Sequence, residues 1–158
     1  MVDLGLHHGW DRGPELLDAA RSVFSYGPGE NRATGYLYCA GEQAWPAPFA
    51  KLGPNLLGQL WGALDIDFNI VAFQAYRDGA GCGWHTDSPF DVQAILSLGV
   101  RRTFGIRQPG AEPVWMSVAH GTLVTMPSGF QAEWEHCIPE EDAPGERISL
   151  VFRTVAKG

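Results

Sequence analysis

The sequence predicts an α+β chain that is mainly β, a jelly roll of two antiparallel sheets with its N-terminal helices packed on one of them. Two stretches with helical apolar spacing occupy the N-terminal part of the chain, and from Phe68 onward short apolar or alternating runs follow one another, each bounded by Gly, Pro or Asp. The 20 Gly and 11 Pro among 158 residues supply the turns that such short strands require.

Residues 1–13 show little periodicity, and the His7-His8 pair reads as a surface feature. Pro14 opens a first helix, PELLDAARSVF, in which Leu16, Leu17, Ala20, Val23 and Phe24 fall on one face. The run Tyr26-Gly27-Pro28-Gly29 ends it. A short strand at Tyr36 to Cys39 follows, then a turn at Ala40-Gly41 and a loop stiffened by Pro46 and Pro48. The tyrosines and Trp45 of this segment admit two readings, a stacking surface over a pocket or a cap on the core. Phe49 to Leu64 reads as a second helix, broken or restarted at Gly53-Pro54, with an apolar face of Leu56, Leu57, Leu60, Trp61 and Leu64. The expected strands are 68–76, 92–98, 102–107, 114–118, 123–126, 134–138 and 148–155. No repeat or linker divides the chain, so 1–158 is expected to be a single domain.

Composition narrows the function. A net charge of −7 argues against a broad basic field for nucleic acid, while leaving room for a local basic groove. Cys39, Cys82 and Cys137 form no CxxC pair, which argues against a disulfide framework or a zinc knuckle and points to a reducing compartment. With no cleavable signal pattern and no long apolar segment, the expectation is a soluble, cytoplasmic monomer without a membrane partner.

The chemistry centres on Tyr76 to Asp87, YRDGAGCGWHTD, where an expected strand runs into a glycine-rich turn and delivers His85 and Asp87 two residues apart. In extended chain these two side chains share a face and can grip one ion. A third ligand is offered by His136 in WEHCIP or His120 in AHGTL. His136 sits in a strand-like run, whereas His120 stands at a turn before Gly121 and reads as a hydrogen-bonded turn residue. Two His and one carboxylate form the facial set that holds non-haem Fe(II) and leaves positions open for co-substrate and dioxygen. In ERISLVFR, Arg147, Ser149, Val151 and Arg153 alternate on one face of a strand. Guanidinium groups turned into a sheet interior require an anion. A dicarboxylate such as 2-oxoglutarate, chelating iron at one end and held by arginine at the other, satisfies both; for Arg153 a surface ion pair is the alternative.

With these residues assembled, the chain resembles the AlkB family of Fe(II)/2-oxoglutarate-dependent dioxygenases from about Gly35 to Arg153. The segment GYLYCAGEQAWPAP is similar to the family's nucleotide-recognition region, here about 26–50, and AYRDGAGCGWHTD to its iron-binding strand and turn. SLGVRRTF and AHGTLVTM are similar to its middle strands, and RISLVFR to its closing R-x-N-L-T-F-R strand. The resemblance implies a double-stranded β-helix and iron ligation by His85, Asp87 and His136. It implies 2-oxoglutarate binding by Tyr76 and Arg147, with Arg153 close by and Gln74 and Ser149 at positions where the family carries Asn. Tyr36, Tyr38 and Trp45 match the substrate entrance. Read from the residues themselves, Arg32, Lys51, Arg77, Arg101 and Arg102 are the candidates for phosphate contacts, each with an ordinary surface charge as the alternative.

The implied reaction converts 2-oxoglutarate to succinate while hydroxylating a C–H bond; on an N-methyl group the product releases formaldehyde. The expected substrate is an alkylated base in single-stranded DNA or RNA, as in DNA repair. A free nucleotide, small metabolite or protein side chain is the second reading, and a non-catalytic binding module the third. Two departures bear on substrate. Ser88-Pro89 follow Asp87 where the family carries a base-contacting aspartate, and Gly29 stands where a stacking Trp is common.

Overall fold

The strands sort by alternation of side chains into two antiparallel sheets that face one another. The computed structural model describes residues 5–7, 15–87 and 92–154. In chain order these form β1 (Gly5–His7), α1 (Glu15–Arg21), β2 (Arg32–Cys39), a 3-10 turn (Ala47–Phe49), α2 (Leu52–Leu64), β3 (Ile70–Arg77) and β4 (Cys82–His85). There follow β5 (Gln93–Gly99), β6 (Arg102–Arg107), β7 (Val114–Val118), β8 (Thr122–Met126), α3 (Phe130–Glu133), β9 (Glu135–Ile138) and β10 (Glu146–Arg153). The larger sheet has the order β1-β8-β5-β10-β3-β2 and the smaller β4-β9-β6-β7. This is the expected jelly roll.

Period-two alternation divides the interior into two cores. On β5, Ala94, Leu96 and Leu98 face the helices, and on β10 so do Ile148, Leu150 and Phe152. They meet Leu16 and Ala20 of α1 and Leu56 and Leu60 of α2. Fully burying one such leucine stabilises the fold by roughly 1.5–3 kcal/mol. The opposite faces of the same strands send Ile95 and Val151 between the sheets, against Phe104, Ile106 and Ile138 of the smaller sheet. The site lies in this second layer.

Several elements differ from expectation. The second helix begins at Leu52, after a separate 3-10 turn at Ala47–Phe49, and Pro54 sits in its first turn, where no intrahelical N–H bond is lost. Strand β2 starts at Arg32, earlier than Tyr36, because it pairs along β3 with a bulge between Thr34 and Leu37. Strand β3 runs 70–77, not 68–76, and β10 runs 146–153. Pro14, Ser88, Pro89 and Val155 lie outside the described residues. Three elements were not anticipated: β1, too short for a pattern; β4, hidden by Gly81 and Gly83; and the single turn α3. Among the described residues, no helix is long and apolar enough to cross a membrane.

Candidate active site

Strand β10 lies between β3 and β5, and its register sets a column of side chains into the space between the sheets. Arg147 is level with Tyr76 and Gly99, Ser149 with Gln74 and Ser97, Val151 with Ala72 and Ile95, and Arg153 with Ile70 and Gln93. Alternation on a sheet face therefore brings Gln74, Tyr76, Arg147, Ser149 and Arg153 to one cavity. From the smaller sheet, His85 on β4 pairs with His136 on β9. Asp87 follows two residues after His85.

The three ligand candidates converge. Their donor atoms all lie within 4.8 Å of one another, a somewhat looser cluster than the at most about 4.2 Å that donors about 2.1 Å from a shared ion can span. His136 Nε2 is 3.3 Å from Asp87 Oδ2, and His85 Nε2 is 3.8 Å from Oδ1. The His85 Nδ1–H donates to the Gly83 carbonyl at 2.7 Å, because a carbonyl only accepts, so Nε2 keeps its lone pair for the site. His136 Nδ1 has no partner, and that ring's polar engagement is at Nε2, toward Asp87; Phe104 stacks on it at 5.9 Å. Burial alone would raise the Asp87 carboxyl, but hydrogen bonds from His136 and Gln93 and the charge of Arg153 outweigh it and hold it well below the usual carboxylate range. The set is two imidazoles and one anion, the donor chemistry that fits Fe(II).

Facing them is an unpaired cation. Arg147 is 2% exposed, its Nη2 donates to Ser97 Oγ at 3.0 Å, and its Nε has no partner. No carboxylate among the described residues reaches it. Burial pulls the guanidinium down to about 10, offset in part by Tyr76, so it stays charged at neutral pH. Burial likewise raises the Tyr76 hydroxyl, which remains a phenol and donates to Gln74 Oε1 at 3.0 Å. An unpaired buried charge is costly, and a carboxylate placed here by a small dicarboxylate would relieve it. The cavity shared by His85, Asp87, His136, Tyr76 and Arg147 has a volume of about 200 Å³, below the roughly 300–1,000 Å³ of drug-sized sites. These residues fit both the metal and 2-oxoglutarate.

Arg153 lines the same cavity, donating from Nε to Gln93 Oε1 at 2.9 Å and lying 3.6 Å from Asp87 Oδ1. It lies against the ligand carboxylate. His120 accepts from the Gly99 N–H at 2.9 Å, the turn role expected of it.

The substrate candidates fall elsewhere. Tyr38 stacks on Trp45 at 3.9 Å, and Trp45 continues through Phe49 to Phe73 in the helix-side core. This is a cap on the core and borders no part of the cavity. The side chain of Tyr36 lies outside the described residues. Arg102 is 0% exposed and bound to Glu141 at 3.1 Å, to the Pro139 carbonyl at 2.9 Å and to that of Gly79 at 3.2 Å. It is a structural tie that no strand of nucleic acid can reach, which corrects its assignment as a phosphate contact. Arg101 is exposed, donates to Ser117 Oγ at 2.6 Å and lies away from the cavity lining.

Two residues that line the cavity, Arg32 and Gln93, and a third that bonds the Asp87 backbone, Gln131, were not read from the sequence as part of the site. Arg32, level with Tyr76 on β2, lines the cavity and sets its guanidinium 5.5 Å from the Tyr76 ring. Gln93 donates to Asp87 Oδ2 at 2.8 Å, and Gln131 Oε1 accepts from the Asp87 N–H at 2.8 Å. Arg32 was read only as a candidate phosphate contact, and Gln93 left its signal as a polar residue opening the mainly apolar run QAILSL.

Comparison with known proteins agrees with this geometry. The chain is 35% identical to alpha-ketoglutarate-dependent dioxygenase alkB homolog 3 of Rattus norvegicus, over 56% of this chain and 36% of the relative. It is 27% identical to the DNA oxidative demethylase ALKBH2 of Homo sapiens, over 70% of this chain and 48% of that protein. The chain thus spans between about a third and a half of the curated relatives it matches. Among solved structures, OsALKBH1 superposes with a TM-score of 0.69 at 12% identity, covering 98% of both chains. A 2OG-Fe(II) oxygenase family oxidoreductase from Burkholderia pseudomallei gives 0.66 at 17% identity, covering 95% of this chain and 82% of that one. Residues 29–153 match the 2OG-Fe(II) oxygenase superfamily, and the chain, whose curated relatives are AlkB homologues, belongs to it.

Proposed function

We propose that the protein is an Fe(II)/2-oxoglutarate-dependent dioxygenase in which His85, Asp87 and His136 hold the metal and Arg147 and Tyr76 hold the distal carboxylate of 2-oxoglutarate. The observation that carries this is the unpaired Arg147 guanidinium sharing one small cavity with the His85–Asp87–His136 set. When bound, Fe(II) with 2-oxoglutarate and dioxygen supplies oxidative decarboxylation to succinate and carbon dioxide, with one oxygen atom entering a substrate C–H bond. The chain's own part is to position and to screen. Tyr76 and Gln74 hold one wall of the co-substrate pocket, and Ser149 the floor between Arg147 and Arg153. Phe104 and Ile95 close the apolar side against water.

For substrate we propose an alkylated nucleobase in single-stranded DNA or RNA, whose hydroxylated N-methyl group leaves as formaldehyde. The name of one curated relative, a DNA oxidative demethylase, supports it. A second reading, a free nucleotide or other small substrate, is favoured by the surface beside the site: Glu30, Asp78, Glu140 and Glu141 line a cleft next to Arg32 that would repel a phosphate backbone. Incubation with Fe(II), ascorbate and 2-oxoglutarate against methylated oligonucleotides and the matching free nucleotides, followed by mass spectrometry, tests both. Loss of the methyl mass from oligonucleotides supports the first reading; loss from nucleotides alone supports the second.

A further inference from the structure

Resting on the iron-site reading above, we infer that Gln93 is a positioning residue for Asp87, locking the plane of the ligand carboxylate and coupling it to Arg153. Gln93 opens the central strand β5, is 1% exposed, and has every polar atom of its amide engaged. Its Nε2 donates to Asp87 Oδ2 at 2.8 Å and toward Met126 Sδ at 3.7 Å, and its Oε1 accepts from Arg153 Nε at 2.9 Å. The amide's orientation follows from these partners, since a carboxylate can only accept and a guanidinium can only donate. Gln131 supports the same ligand from behind. Its Oε1 accepts from the Asp87 N–H and its Nε2 donates to the same Met126 sulfur at 3.4 Å. Asp87 is therefore held at its backbone by one glutamine and at its carboxylate by the other.

Asp87 Oδ2 has His136 Nε2 at 3.3 Å, and the Gln93 amide holds the same oxygen more closely, at 2.8 Å. Arg153 by itself approaches Asp87 only to 3.6 Å, on the other oxygen. The short bond is the one from Gln93. As a neutral amide it orients the anion without competing with the metal for its charge, and by accepting from Arg153 it keeps that guanidinium from swinging across the site. Outer partners of this kind are worth about 10–100-fold in metal affinity.

The test uses the full chain stripped of metal, with Mn(II) followed by electron paramagnetic resonance and Co(II) by its visible spectrum, neither of which depends on turnover. Gln93→Leu is expected to weaken Mn(II) binding about 10–100-fold and to alter the Co(II) spectrum, with the metal-free circular dichroism unchanged. Should the leucine variant not fold, Gln93→Asn, which keeps the amide but withdraws it by one methylene, is expected to show the same loss. Wild-type Mn(II) affinity and an unaltered Co(II) spectrum in the folded variant would overturn the role of Gln93 while leaving the iron site standing. Failure of the unsubstituted protein to bind Mn(II) would overturn the iron site itself.

Discussion

Tyr76 and Arg147 face each other across the β3–β10 ladder, and the guanidinium lies 5.7 Å from the tyrosine ring. The pairing places a buried cation and a buried phenol in the same cavity as His85, Asp87 and His136.

Arg147→Ala is expected to weaken 2-oxoglutarate binding by about 2–5 kcal/mol, the scale for removing one partner of a buried, hydrogen-bonded charge pair. Calorimetric titration of the Mn(II)-loaded protein reads this directly. An unchanged affinity would mean that the anion is anchored elsewhere.

The face of β10 that carries Arg147 was legible because a strand's side chains alternate strictly, so ERISLVFR declares which residues travel together. His85 and Asp87 alone are a pattern common by chance; they became legible through the company of His136 and of the arginines of the closing strand. What was hidden depended on contacts between distant segments. Tyr38 and Trp45 form a stack whose place is decided by Phe49 and Phe73, and Arg102 has its fate set by Glu141, which no local pattern connects to it. Strand β4 was masked because its glycines carry turn propensity while its pairing with β9 enforces extension.

That same segment separates glycines by need. Gly79 has φ +80°, and an added Cβ would run into the Glu141 carbonyl, whereas Gly83 opens on empty space. Gly79→Ala is expected to destabilise the protein by more than the roughly 1 kcal/mol that such a substitution changes at a compatible site. Gly83→Ala should leave the urea midpoint near that of the wild type. Equal midpoints for the two variants would refute the distinction.

Trp45→Ala should cost about 3 kcal/mol of stability, at the low end for truncating a packed aromatic, because it removes the cap over Phe49 and Phe73. Metal and 2-oxoglutarate affinities should not change, since the stack borders no part of the cavity. A selective loss of ligand binding would contradict its placement as a core cap.

Glu141 confers a pH dependence. Burial would raise its carboxyl, but bonds from the Thr103 N–H and from Arg102 prevail and hold it below its ordinary 4.5. A folded value below the unfolded one stabilises fully above the unfolded value, and that stabilisation disappears as the pH falls through the folded value. Urea midpoints should therefore drop on acidification below about pH 4.5, and Glu141→Ala should flatten that drop. The substitution should also cost about 3–5 kcal/mol at neutral pH by stranding Arg102. A wild-type acid profile in the variant would show that the pair does not carry it.

The most direct measurement of the central assignment is an anaerobic titration of 2-oxoglutarate into the Fe(II)-loaded protein, followed by the visible charge-transfer absorption of an iron-chelated 2-oxo acid. The expected result is a saturable band in the wild type, its loss in Asp87→Ala and His136→Ala, and its displacement to much higher 2-oxoglutarate concentration in Arg147→Ala. A wild type without the band, or ligand variants that retain it unchanged, would contradict the assignment of His85, Asp87 and His136 as the iron site.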